Sequence, residues 1–250
     1  MDRLKRVVRD LVIANRILAR ENVLDAYGHV SVRHPLDASR FLLSCSRSPE
    51  LVTQDDIMEF DLQSRVIGND RRRLYSERFI HGAVYEARPD VNAVVHSHAR
   101  EVLPFSILTT ARLRPVTHSA CCIGPNISIW DPQDKFGDTD LWITDEARAR
   151  DMASRLENDV VILMKAHGFV AASRSLLDVV RIAIYLSVNA QVLTDALRLG
   201  EIKPLTPGEI RAAGTGTEDP GIHKALLRGW QYWASRAGCA DLVDEDPAAP

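Results

Sequence analysis

The sequence predicts an α/β protein in which helices flank a mostly antiparallel sheet. Three observations carry this. Apolar residues recur at helical spacing near the start, in the middle and towards the end of the chain. Short β-branched or aromatic runs between Gly28 and Gly68 are separated by Pro, Asp and Asn. The stretch DVVILMKAHG, residues 159–168, carries five consecutive apolar residues into a His-Gly turn.

Each element follows in order. Leu4, Val7, Val8, Leu11, Ala14 and Leu18, with Arg and Asp between them, make an amphipathic opening helix in a region ended by Gly28. SVRH, RFLLSC and the IMEFDL/RVIG pair read as antiparallel strands. Ser76 to Arg88 resumes helical spacing and stops at Pro89-Asp90; VNAVVHSH then reads as a buried strand. A short helix from Arg100 to Leu108, the segment RPVTHSACCIG, and a Pro/Gly/Asp-rich loop from Gly124 to Thr139 lead to a helix over Glu146–Leu156. After DVVILMKAHG comes a long helix from Ser175 to Arg198, with Ser175 as N-cap, Asp178 placed as in a capping box, and Gly200 as the stop. A last helix through HKALLRGWQYWASRAG frays in DEDPAAP.

The 250 residues are read as one domain with a helical extension from about residue 205, since α/β domains of this length are common. Lys+Arg 31 against Asp+Glu 34 leaves a net charge of −3, with no basic field to draw nucleic acid or an anionic membrane. Cys45, Cys121, Cys122 and Cys239 form no C-x-x-C pair, which fits a reducing compartment. The charged N-terminal stretch has no signal-peptide core, so the expected location is the cytoplasm.

The chemistry lies in the histidines. His96 and His98 stand at i and i+2, a spacing that on a strand turns both rings to one face and on a helix would splay them. His167 ends the other strongly apolar strand, before Gly168, and supplies a third imidazole. Glu77, near the start of a helix, offers a carboxylate to complete the shell or to act as general acid/base beside a metal. Three imidazoles with a carboxylate suit one divalent ion, Zn²⁺ by ligand type, and Mn²⁺ where the substrate chelates through oxygen.

The motifs S-E-R-F-I-H at 76–81, H-S-H at 96–98, A-H-G at 166–168 and the earlier G-H-V-S-V-R at 28–33 resemble the class II aldolase/adducin-head family, from the opening helix to about Gly208. The resemblance implies a three-layer α/β/α fold with a central antiparallel sheet, and a homotetramer with sites at subunit interfaces. It implies metal ligation by His96, His98 and His167, with Glu77 as the catalytic carboxylate. Adducin heads often lack these ligands; this chain keeps them, so an enzyme is expected. Tyr232 lies near the position where aldolases contribute a tyrosine from a neighbouring subunit, although Trp230, Tyr232 and Trp233 equally suit helix packing. His118 is a further acid/base candidate.

Departures from the family pattern indicate the reaction. Sugar-phosphate aldolases carry G-N-x-S, a Ser-Gly pair and Ser-Ser where this chain has His29, Cys45-Ser46-Arg47 and Tyr75-Ser76. Small phosphate-binding groups give way to His, Arg and Tyr, which suit a planar ring bearing a carboxylate. His29, Ser46, Arg47, Tyr75 and Ser76 are the expected substrate-binding residues. The pattern is similar to the branch that decarboxylates hydroxylated aromatic or pyridine carboxylates, with aldol cleavage as the alternative. The expected function is a metal-dependent carbon–carbon lyase acting on a small carboxylate in aromatic-compound breakdown.

Overall fold

Alternation along the central strands decides the layering. The computed structural model describes residues 3–213 and 220–243. Seven strands, β1 (His29–Arg33), β2 (Arg40–Ser44), β3 (Ile57–Asp61), β4 (Ala93–Ser97), β5 (Ser128–Trp130), β6 (Val161–Met164) and β7 (Gly168–Ser173), form one sheet in the order β3-β2-β1-β4-β7-β6-β5. Every pairing is antiparallel except β5 with β6. Ala93, Val95, Val161, Leu163, Phe169 and Ala171 join one apolar cluster, while Val94, Ile162, Met164, Val170 and Ala172 join another. The two-residue period of a strand sends neighbours to opposite faces, so both faces must be covered.

The helices are α1 (Arg3–Arg20), α2 (Phe79–Ala87), α3 (Leu103–Ile107), α4 (Gln133–Phe136), α5 (Glu146–Leu156), α6 (Leu176–Leu199), α7 (Pro207–Ala213) and α8 (Pro220–Arg236). Leu11, Ile17, Val180, Ala183, Trp230 and Trp233 place α1, α6 and α8 on the first cluster; Ile80, Val84, Met152 and Leu156 place α2 and α5 on the second. The α/β/α layering with a mostly antiparallel sheet is as expected. Helix α6 is long and apolar enough to cross a membrane, but most of it is buried as the central helix of its layer.

Several elements differ from expectation. DVVILMKAHG does hold a strand, β6, running into a tight turn at 165–167 with Ala166 at φ 54°, but Gly168 already begins β7, a strand the sequence reading did not place. GFVAAS, with Gly, two Ala and Ser, has little intrinsic strand preference; pairing on both sides with β4 and β6 overrides it. The loop 124–139 contains β5 and α4, held where Trp130 is buried and its Nε1 donates to Asp151 at 2.9 Å. RVIG contributes only an isolated bridge, Phe60 to Val66. The helix expected from Ser76 opens as a 3₁₀ turn, Ser76–Arg78, with Glu77 at φ −93°, ψ 18° before α2 begins. Ser175 does cap α6, accepting from the Asp178 amide at 3.2 Å, while the Asp178 carboxylate binds Ser173 Oγ and Arg181. The expected fraying of DEDPAAP lies outside the described residues.

The backbone comes close at Gly168, where a Cβ would stand 2.0 Å from the Ser97 carbonyl oxygen and 3.2 Å from His98 Cα. Neither neighbour is the end of a flexible side chain, so β7 or β4 would have to move. Gly168→Ala is expected to lower stability by about 1–3 kcal/mol in chemical denaturation, as overpacking does. A variant as stable as the parent would show that the two strands separate without cost.

Candidate functional site

The β1–β4 register sets the site. His29 pairs with His96 and Ser31 with Val94, so these side chains share the face covered by α2. His98 lies one residue beyond β4, His167 in the β6–β7 turn, and Glu77 in the 3₁₀ turn ahead of α2. Glu77, His96, His98 and His167 bring one potential ligand atom each to within 4.8 Å of one another. His98 Nε2 is 3.0 Å from His96 Nε2 and 3.2 Å from His167 Nε2; Glu77 Oε2 lies 3.4 Å from both His96 and His167 Nε2.

The opposite edges of the three rings fix which nitrogen carries the proton. His96 Nδ1 faces the Phe169 carbonyl at 3.1 Å, His167 Nδ1 the Leu141 carbonyl at 2.9 Å, and His98 Nδ1 both Asp25 carboxylate oxygens at 3.3 Å. These partners only accept, so each Nδ1 is the donor and each Nε2 keeps its lone pair. Three lone pairs facing one another lack anything between them to satisfy all three. Zn–N bonds of about 2.0–2.1 Å in a tetrahedron put the nitrogens about 3.3 Å apart, close to what is seen here. The donor set therefore fits one divalent cation, with the outer partners that hold ligand histidines in metal sites.

Burial opposes the charge on Glu77, but a proton on the Nε2 of His167 or His96, donated to its carboxylate, outweighs burial and holds the carboxyl well below the usual range. Its Oε1 accepts the Ile143 amide at 3.0 Å. Burial and the His96 charge draw His98 down to about 4 against the pull of Asp25, whereas the Glu77 carboxylate overcomes burial and raises His167.

Of the expected substrate residues, His29 reaches the cluster and Tyr75 packs on His29. Their rings are 4.6 Å apart, and His29 is 5.1 Å from His96. The Tyr75 hydroxyl bonds Ser44 Oγ and the Arg47 carbonyl. Ser46, Arg47 and Ser76 are exposed. The Arg47 guanidinium is engaged by the Leu51 carbonyl at 2.7 Å and by Asp56 at 3.4 Å. Among the described residues no hydrogen bond, ion pair or ring contact joins His118 or Tyr232 to the four donors. His118 is exposed at the start of a 3₁₀ turn, and Tyr232 lies exposed on α8, its hydroxyl accepting from Arg236 at 3.2 Å.

Three contributors escaped the sequence reading. Asp25 accepts the Tyr27 and Gly28 amides at 2.8 and 2.9 Å, an Asx turn signalled by Asp three residues before Gly, and this aims its carboxylate at His98. Leu141, at φ 65°, and Ile143 act through backbone atoms alone, for which no side-chain pattern exists.

Comparison with known proteins agrees with this geometry. Decarboxylase tropJ of Talaromyces stipitatus is 32% identical over 90% of this chain and 92% of its own length. Decarboxylase NovR of Streptomyces niveus is 26% identical over 89% and 80% respectively. The structure of L-fuculose 1-phosphate aldolase from Glaciozyma antarctica superposes with a TM-score of 0.75 at 24% identity, covering 93% of this chain and 90% of that one. The model for the class II aldolase and adducin N-terminal domain matches residues 9–194, most of the chain, and the protein belongs to that family.

Proposed function

We propose that this protein is a metal-dependent decarboxylase of a hydroxylated aromatic or heteroaromatic carboxylate. The observation that carries the reading is the His29–Tyr75 ring pair set against the donor cluster, where family aldolases have small phosphate-binding groups. The tropJ and NovR names support it. A divalent cation held by the Nε2 atoms of His96, His98 and His167, Zn²⁺ by donor type or Mn²⁺, supplies Lewis acidity to the hydroxyl and carboxylate oxygens of the substrate.

The protein's own groups do the rest. His29 and Tyr75, their rings tilted at 46° to each other, flank the substrate ring, while Arg47, Ser46 and Ser76 border the opening. Arg47 is the cation available to a substrate carboxylate there, shared with Asp56. The Ile143 amide holds Glu77 by one oxygen and leaves Oε2 as the oxygen that exchanges a proton. Glu77, held as a carboxylate, takes the proton of the substrate hydroxyl and so becomes the acid of the next step. The bond between ring and carboxylate then breaks, its electron pair stays on the ring carbon, CO₂ departs, and that carbon takes the Glu77 proton.

The reading includes a homotetramer, with Tyr232 reaching a neighbouring site and His118 as an accessory acid, in a reducing cytoplasm suited to four free cysteines. Aldol cleavage of a hydroxy-carbonyl substrate is the second reading, favoured by the same four donors in a family that includes fuculose phosphate aldolases.

Substrate panels separate the two. A hydroxyaryl dicarboxylate is expected to release CO₂ and fuculose 1-phosphate to react poorly; efficient phosphoketose cleavage with no CO₂ from any aromatic acid would select the aldolase. Protein purified without added metal is expected to hold about one equivalent of divalent ion per chain, a full single site. Glu77→Gln should keep the ion yet lose at least about 10²-fold in kcat, as removal of general acid catalysis does. His96→Ala should lose ion and activity together. Near-parental turnover of Glu77→Gln would transfer the proton step to His29 or His118. Asp25→Asn, which withdraws the charged partner of His98, should weaken metal affinity about 10-fold in chelator competition; unchanged affinity would show that this partner is idle.

A further inference from the structure

Behind the His29 ring, on the α2 face of the sheet, lies a string of four buried side chains that the scheme above leaves unused. His29 Nδ1 is 2.6 Å from His81 Nε2, His81 Nδ1 is 2.6 Å from Ser31 Oγ, and Ser31 Oγ is 2.8 Å from the Tyr85 hydroxyl. The local geometry explains the run: residues 29 and 31 share one face of β1, and residues 81 and 85 are one helical turn apart on α2. All four are almost wholly inaccessible, and the string holds no carboxylate. Fully buried imidazoles with no carboxylate partner in the string are uncharged.

A neutral imidazole carries one N–H. With both nitrogens of His81 engaged, the string therefore runs in one of two directions. The far end chooses between them. The hydrogen-bond partner of the Tyr85 hydroxyl among the described residues is Ser31 Oγ. A buried O–H aimed elsewhere would lack an acceptor, which is costly. Tyr85 thus donates to Ser31, Ser31 to His81 Nδ1, and His81 Nε2–H to His29 Nδ1. The proton of His29 is left on Nε2, the nitrogen on the ring edge away from His81, which has no protein partner among the described residues.

We propose that His81, backed by Ser31 and Tyr85, is a positioning residue that locks His29 in the Nε2–H tautomer, so that His29 offers the substrate a neutral hydrogen-bond donor for a carboxylate or phenolate oxygen. The inference rests on the reading of His29 as part of the substrate wall. It gives His29 a polarity that selects ligands with an acceptor at this point of the ring and rejects those with a donor.

The test is solid-state ¹⁵N NMR of the zinc-loaded protein labelled at histidine, alongside steady-state kinetics. His29 should carry its proton on Nε2 in the parent. Tyr85→Phe, nearly isosteric, should release the direction of the string and give a mixture of His29 tautomers. His81→Leu should do the same and lower kcat/KM by roughly 10- to 100-fold, the worth of one hydrogen bond to a charged group. His81→Gln, whose amide N–H can replace Nε2–H, should restore both the tautomer and most of the turnover. A parental His29 protonated on Nδ1, or a tautomer unchanged in both Tyr85→Phe and His81→Leu, would overturn the proposal. The predicted tautomers with no aromatic acid decarboxylated would uphold the lock while sinking the decarboxylase reading.

Discussion

Three imidazole lone pairs converge on one point because three protons are held on the other side of the rings. The Phe169 carbonyl, the Leu141 carbonyl and the Asp25 carboxylate each take an Nδ1–H, and each belongs to a different part of the chain: β7, the loop before α5, and the turn before β1. Removing any one would free a ring to rotate or change tautomer, and the cluster would lose a donor without losing a residue. The sheet serves this arrangement. Pairing β4 between β1 and β7 puts His96 beside His29 on one edge and beside the Phe169 strand on the other.

Close backbone contact is the second constraint. The β6–β7 turn delivers His167 to the cluster only if β7 lies against the end of β4, and Gly168 permits that approach to Ser97 and His98. The histidines are therefore placed by main chain against main chain. Such placement is stiffer than side-chain packing, because a peptide backbone cannot change rotamer to relieve strain.

How much of this was legible in the sequence depends on whether the signal belongs to a side chain or to a fold. His96 and His98 announce themselves through strand spacing, His167 through its place at the end of an apolar run, and Glu77 through its position before a helix. Strand β7 was hidden because Gly, Ala and Ser have weak strand preference and are ordered by their neighbours. Asp25 was hidden because one acidic residue in a turn looks like any other until the turn points it somewhere. The Arg47 guanidinium illustrates the opposite limit, since residue type suggested a carboxylate partner and the fold supplied one internally in Asp56.

The loop around Trp142 holds two of the four donors without using a side chain: Leu141 through its carbonyl to His167, Ile143 through its amide to Glu77. Between them the Trp142 side chain is exposed. Grip and variability are thereby separated within three consecutive residues. The main chain there is bound to the donor cluster's geometry, while the side chain at 142 can change size and polarity without disturbing it. A lineage, or an engineer, has in that position a place to alter what approaches the cluster while the cluster itself stays intact.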